Sequence, residues 1–396
     1  MSEQFRAELR TFLREHPPPK VQLATTPEEA EELLGWHRTL RAGNWVGVHW
    51  PAEHGGRGCT PAEIAIYNEE LARAGAPPLL ARGGLSIVGP TFILHGTDAQ
   101  RAQWLRGILD GDDVWCQLFS EPGAGSDLAG LATRADKRGD TYVLNGQKVW
   151  SSYARFANWG LALVRTDPDA PKNRGISMLA VPMATPGVEV RPLRQMTGES
   201  EFNEVFFTDA EVPVKNLIGP EHEGWRVANT TLANERGASF VWREQVLHEI
   251  ALDELTKACG KKGRLTDPRI RQRIVQSWIE VEILRLLNAR TLSRLARGEE
   301  LGAESSIVKL FWANLSQRLY NTAFDALAPD TLDTDFDDGR WALGALASRA
   351  TTIMGGTNEI QRNVIGERIL GLPREPRAQR PEGAKRGGDP GIEEPK

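Results

Sequence analysis

The chain has 396 residues, a formal net charge of −5 and 26% charged residues, which gives no reason to expect a nucleic-acid partner. That length suits two or three domains around substantial cores. No apolar run approaches the roughly 18 residues a membrane span needs. The three cysteines, Cys59, Cys116 and Cys259, are too far apart for a metal-ligand or disulfide framework, which points to a reducing, cytoplasmic setting and to no metal. The start, Met1-Ser2-Glu3-Gln4-Phe5, is acidic and lacks the apolar stretch of a targeting peptide.

Residues 1–115 read as a helical domain. Phe5, Leu9, Phe12 and Leu13 recur at helical spacing before Pro17-Pro18-Pro19 stops the helix, and a second helix starts at the cap Thr26 with Pro27 in its first turn. The aromatic, Gly-rich stretch Trp45 to Gly56 reads as a buried connection. Helices follow over about 60–76, 84–96 and 98–110, the last ended by Gly111.

The periodicity changes at Cys116. Phe119-Ser120-Glu121-Pro122-Gly123-Ala124-Gly125-Ser126-Asp127 is a loop of turn formers able to aim backbone N–H groups and the Ser120 and Ser126 hydroxyls at one anionic ligand. Residues 131–193 alternate and are broken at Arg138-Gly139-Asp140, Asn145-Gly146 and Thr185-Pro186-Gly187, the signature of a small barrel or sandwich over 116–224. Asn145-Gly146 reads as a hairpin turn leading into a strand with Trp150, whose indole suits a planar ring. Over 225–376 the pattern is again helical, with helices expected at 225–257, 267–297, 302–327, 341–354 and 358–370, enough for a four-helix bundle. The acidic stretch Asp330–Asp338 reads as a solvated loop, and 377–396, rich in Pro, Gly and charge, as disordered.

The loop at 119–127 followed by Lys148-Val149-Trp150-Ser151-Ser152 resembles the flavin-binding core of the acyl-CoA dehydrogenases. The stretch Trp50-Pro51-Ala52-Glu53-His54-Gly55-Gly56 and the C-terminal Gly355-Gly356-Thr357-Asn358-Glu359 extend the resemblance over nearly the whole chain. It implies an α+β fold with an N-terminal helical domain, a middle β-barrel and a C-terminal four-helix bundle. It also implies FAD as cofactor and α,β-dehydrogenation of an acyl-CoA thioester to a trans-2-enoyl-CoA. By resemblance Phe119, Ser120, Trp150 and Ser152 line the flavin ring, Ser126 lies near the pyrophosphate, and Gly356, Thr357 and Glu359 lie near the flavin and its phosphates.

In most of the family the base precedes the Gly-Thr of the C-terminal motif, and here that position is Gly355. Some members, including an actinobacterial branch acting on steroid side-chain acyl-CoAs, place it in a Glu-Arg pair instead, which Glu235-Arg236 matches. The resemblance therefore makes Glu235 the base, with Gly355 and Arg236 on the substrate side and Gly355 supplying a backbone N–H to the thioester carbonyl. Glu359 is the rival carboxylate, whereas Glu121 is expected to bond locally to turn N–H groups. Two family segments that clasp a neighbouring subunit's FAD are missing, at Ala258–Arg264 and Phe324–Asp330. The resemblance further implies a dimer or tetramer, open to a homologous second subunit, and an electron-transfer flavoprotein as acceptor. A subunit without its own base, and a flavin oxidase or monooxygenase on the same fold, stay open as alternatives.

Overall fold

The computed structural model describes residues 2–235, 238–299 and 302–374, with the side chains of 233–241 left aside. Helix α1 (Ser2–Glu15) buries Phe5, Leu9 and Leu13, and α2 (Pro27–Ala42) starts at the expected cap, where the Thr26 hydroxyl accepts from Glu29 N and the Glu29 carboxylate accepts from Thr26 N. The same box, Thr60 with Glu63, starts α3 (Pro61–Arg73). The aromatic stretch between these helices, expected to be a buried connection throughout, is so only in its first half: Trp45, Val46, Val48 and Trp50 are buried and Trp50 Nε1 donates to Leu85 O at 2.8 Å, while Pro51, Ala52, Glu53 and Gly55 are exposed. A π turn at Gly84–Val88 leads into α4 (Gly89–His95), and α5 (Asp98–Asp110) ends at Gly111, whose φ of 81° suits only a glycine cap.

Glu70 on α3 is buried between two α1 arginines, Arg6 and Arg10, the latter donating through Nε at 2.7 Å. Burial pushes this carboxyl up, but the hydrogen bonds of Arg10 and Arg6 outweigh it and hold it below its ordinary range. The folded pKa therefore lies below the unfolded one, so the stabilisation is complete above the ordinary carboxylate range and is lost as pH falls through and below it. Glu70→Gln is expected to cost about 2 kcal/mol at neutral pH and to flatten acid unfolding, as denaturant melts at pH 7 and pH 4 would read.

Eight strands form one sheet: β1 (Trp115–Leu118), β2 (Arg134–Arg138), β3 (Thr141–Ser152), β4 (Trp159–Arg165), β5 (Ile176–Pro182), β6 (Val188–Pro192), β7 (Phe202–Pro213) and β8 (Leu217–Ile218). The pairing path is β6-β7-β3-β2-β4-β5-β8, with β1 parallel to β4. Alternation divides its faces. Leu161 and Leu163 of β4 and Ile176, Met178 and Ala180 of β5 join the core of the N-terminal helices, while Ala162, Val164, Leu179 and Val181 join a second core with Tyr142 and Phe207. An aromatic cluster crosses the same junction: Phe92 and Trp104 stack at 4.7 Å, and Trp115 and Trp159 stack at 5.5 Å.

Asn145-Gly146 is not a hairpin. The turn between β2 and β3 lies at Gly139-Asp140, and β3 runs through Gly146 unbroken. The pair marks a bulge instead, with the extra residue, Asp209 (φ 47°), on β7. Asn145 clips it by donating from Nδ2 to Asp209 Oδ1 and accepting from Asp209 N, both at 3.0 Å. Gly146 is required because a Cβ would lie 2.6 Å from Thr133 Oγ1.

The C-terminal helices are α6 (Gly224–Glu235), α7 (Ala238–Lys261), α8 (Pro268–Ala296), α9 (Ser305–Leu327), α10 (Arg340–Ala347) and α11 (Asn358–Val364), around a core containing Leu255, Leu284, Leu319 and Trp341. The expected helix 341–354 stops at Ala347. Ser348 Oγ donates to Ala345 O at 2.8 Å and Thr351 Oγ1 to Ser348 O at 2.7 Å, so hydroxyls take carbonyls that a continuing helix would use. The acidic stretch is only partly solvated: Thr331 is buried, while Asp333, Asp335, Asp337 and Asp338 are exposed. No described helix is long and apolar enough to cross a membrane. The expected disorder of 377–396 falls outside the described residues.

Candidate active site

The loop and strand motifs are built side by side. Pro122-Gly123 forms a tight turn closed by reciprocal Glu121 and Ala124 backbone bonds at 3.1 and 3.0 Å. Val149 N then donates to Ser120 O at 2.9 Å, tying this loop to β3. Gly123, Gly125 and Ser126 are exposed, and nothing lies within 4 Å of a Cβ on either glycine, so the loop presents open backbone.

Strand β3 carries a second bulge beside this contact. Lys148 pairs with Val205 and Ser151 with Asn203, so three steps on β3 match two on β7. The extra residue is absorbed at Trp150, whose φ of 62° is unusual for a bulky side chain. The bulge turns Trp150 outward, 57% exposed, while Lys148 and Ser151 point inward and are fully buried. Among the described aromatic residues Phe202 packs against Trp150, with ring centroids 5.7 Å apart and planes at 83°. Ser120 and Ser152 are partly exposed beside it. Phe119 is 4% exposed, with its side chain in the core shared with the N-terminal helices and its carbonyl accepting from Lys148 Nζ.

Glu121, expected to bond to turn N–H groups beside it, instead accepts from Ala132 N at 2.6 Å and Thr133 N at 2.9 Å, beyond the loop. Sequence reasoning missed its third partner, Lys148 Nζ at 2.8 Å, which is 27 residues away. It also missed Lys172 and Arg174, which with Asp127 line a cleft beside the loop, Lys172 being paired with Asp127.

The C-terminal motif is assembled by α9 and α11. Gly355 and Gly356 have φ of 63° and 90°, and Thr357 caps α11. Gln361 Nε2 donates to Gly355 O at 3.0 Å, and Lys309 Nζ, on α9, donates to Gly356 O at 2.7 Å. Nothing in the sequence singles out Lys309, 47 residues upstream. Gly355 is exposed, and among the described residues no atom lies within 4 Å of a Cβ there. Glu359 is exposed and pairs with Arg362, and its own backbone N–H and the Thr357 hydroxyl hold its carboxyl below the ordinary range. That is the wrong direction for a base. Glu235 is the last residue of α6, with its side chain outside the description, and Arg236 lies outside the described residues.

The match to known proteins covers all three parts of this architecture. Residues 1–112, 116–210 and 222–370 match the N-terminal, middle and C-terminal domains of the acyl-CoA dehydrogenases. The chain belongs to the acyl-CoA dehydrogenase family. It is an oxidoreductase of a family whose members are FAD-dependent flavoproteins. It is 41% identical over 351 residues to the acyl-CoA dehydrogenase IpdE1 of Mycobacterium tuberculosis, covering 88% of this chain and 90% of that one. Among solved structures it is similar to the ChsE4-ChsE5 complex from Mycobacterium tuberculosis, with a TM-score of 0.83, 31% identity, and 94% and 98% of the two chains covered. The Tcur3481-Tcur3483 steroid acyl-CoA dehydrogenase is similar, with a TM-score of 0.83 and 29% identity over 94% and 98% of the two chains. The residues present fit FAD: an outward indole beside an open Gly/Ser loop suits a planar ring carrying a pyrophosphate.

Proposed function

We propose that the chain dehydrogenates an acyl-CoA at its α and β carbons, giving a trans-2-enoyl-CoA. The observation that carries this reading is the Val149–Ser120 bond, which puts an open Gly/Ser loop and an outward Trp150 side by side. In this reading Trp150, Ser120, Ser152 and Phe119 line the flavin ring. Ser126 faces the pyrophosphate, and Gly356, Thr357 and Glu359 bound the cofactor from the C-terminal side. FAD, when bound, supplies the acceptor for the β-hydrogen and its electron pair. Glu235 takes the α-proton, and Gly355 N–H steadies the negative charge that grows on the thioester oxygen. Arg236 lies on the substrate side.

The substrate we favour is bulkier than a short straight chain, in line with the open space at Gly355 and with a relative described as a steroid acyl-CoA dehydrogenase. Electrons pass to an electron-transfer flavoprotein, and the three separate free cysteines suit a reducing, cytoplasmic setting. The test is turnover of an acyl-CoA panel with an artificial electron acceptor, read by mass spectrometry. A product two hydrogens lighter supports the reading, and unchanged thioesters across the panel sink it.

An association of two homologous chains is favoured by a specific surface. Val275, Trp278, Ile279, Ile283 and Leu286 of α8 are exposed at helical spacing and suit a second chain of this fold. The two departing segments also satisfy each other within the chain: Arg264 Nε donates to Ala326 O at 2.8 Å, and Lys262 pairs with Asp330. Those groups are then engaged at home, which suits a heteromer whose other subunit supplies the reach across the interface.

Lys309 gives a pH prediction. Burial pushes its ammonium down to about 8, with Glu359 pulling the other way. Above that pH the Gly355-Gly356 turn loses a charge-assisted donor, so kcat/KM is expected to fall with an apparent pKa near 8 and to lack that limb in Lys309→Met. Unfolding would not explain the limb. The folded pKa lies below the unfolded 10.5, so this group adds stability as pH rises from about 8 to 10.5.

A further inference from the structure

Beneath the loop and Trp150 lies an ion pair that the proposed reaction does not use. Lys148 is fully buried and Glu121 is 8% exposed. Lys148 Nζ donates to Glu121 Oε1 at 2.8 Å and to Phe119 O at 3.1 Å. Glu121 also takes Ala132 N and Thr133 N, so the pair ties together three separate pieces of chain: the loop at 119–124, the lead into β2, and β3. Burial pushes the Lys148 ammonium down to about 8 against the pull of Glu121. Burial also pushes the Glu121 carboxyl up, but Lys148 outweighs it and holds it below its ordinary range.

Removing two charges from water costs several kcal/mol per ion, and apolar residues of the same volume often hold a fold as well. What an apolar pair lacks is direction. Lys148 stands two residues before Trp150, at the last normal pairing ahead of the bulge, and its ammonium grips the Phe119 carbonyl next to Ser120. A slip of either piece would carry Trp150 or Ser120 out of place, because the register of β3 sets both.

We infer that the Glu121–Lys148 pair positions the flavin wall, locking the 119–127 loop and the Trp150 bulge into one rigid surface on which FAD affinity depends. This rests on the assignment of Trp150 and Ser120 to FAD. Neither Glu121 nor Lys148 touches the cofactor; both act through Phe119, Ser120 and Trp150.

The test compares FAD dissociation constants and bound-flavin fluorescence for the full chain and for Glu121→Gln, Lys148→Met, the double variant and Trp150→Ala. Glu121→Gln keeps the shape and an acceptor, so it guards against a Lys148→Met that does not fold. Each single variant is expected to weaken FAD about ten-fold or more, and the double variant to lose less than the two singles combined. The flavin that stays bound is expected to fluoresce more, because the quenching indole is no longer held against it. FAD affinity within about two-fold of wild type in both single variants overturns the inference, even if their melting temperatures fall. Unchanged affinity and fluorescence in Trp150→Ala would instead overturn the site assignment beneath it.

Discussion

Glu235→Gln is expected to bind acyl-CoA with little change in affinity and to reduce its flavin at least about 10³-fold more slowly than wild type. The substitution keeps size and hydrogen-bonding atoms and removes only the ability to take a proton. A carboxylate at its ordinary pKa near 4.3 is a weak base toward an α-C–H, and burial is the general means by which such a base is strengthened. Single-turnover flavin reduction without oxygen, against a separate binding titration, splits chemistry from affinity. A variant that reduces its flavin normally would make Glu235 structural. The alternative carboxylate, Glu359, starts from a poor position, since its surroundings favour the ionised form and leave it exposed.

Gly355→Glu placed on the Glu235→Gln background is expected to restore at least about ten-fold of the lost reduction rate with straight-chain acyl-CoAs, and less with bulky ones. The turn has room, with no atom within 4 Å of the new Cβ. The backbone is the obstacle: a φ of 63° costs a non-glycine residue roughly 1 kcal/mol, which lowers stability without forbidding the change. Because the added side chain fills the space that glycine leaves open, substrate preference should shift along with rate. A double variant as inert as Glu235→Gln would mean that the Gly355 position no longer faces the α-carbon.

Much of the fold is legible in local chemistry. The cap Thr26, the stop at Gly111 and the apolar spacing of Phe5, Leu9 and Leu13 act within one or two helical turns, and the structure keeps them all. What is not legible depends on partners far along the chain. Asn145-Gly146 carries the local signature of a hairpin, but its role is set by Asp209 on β7. Trp150 reads as a strand residue, and its outward turn follows from a register shift against Asn203 and Val205. Nothing local marks Lys148 or Lys309 for burial, yet the fold sets one against Glu121 and the other against Gly356 O. In each case the residue type was visible and the distant partner that sets its role was not.

We propose that this chain oxidises a bulky acyl-CoA on a flavin held by Trp150 and the 119–127 loop. The most direct measurement is the visible absorbance of the purified flavoprotein, titrated without oxygen with a steroid side-chain acyl-CoA and with butyryl-CoA. The account predicts stoichiometric bleaching by the bulky thioester, weak bleaching by butyryl-CoA, and slow reaction of the reduced, product-bound enzyme with oxygen. Bound flavin that no acyl-CoA bleaches, or that reoxidises at once in air with product bound, would contradict it.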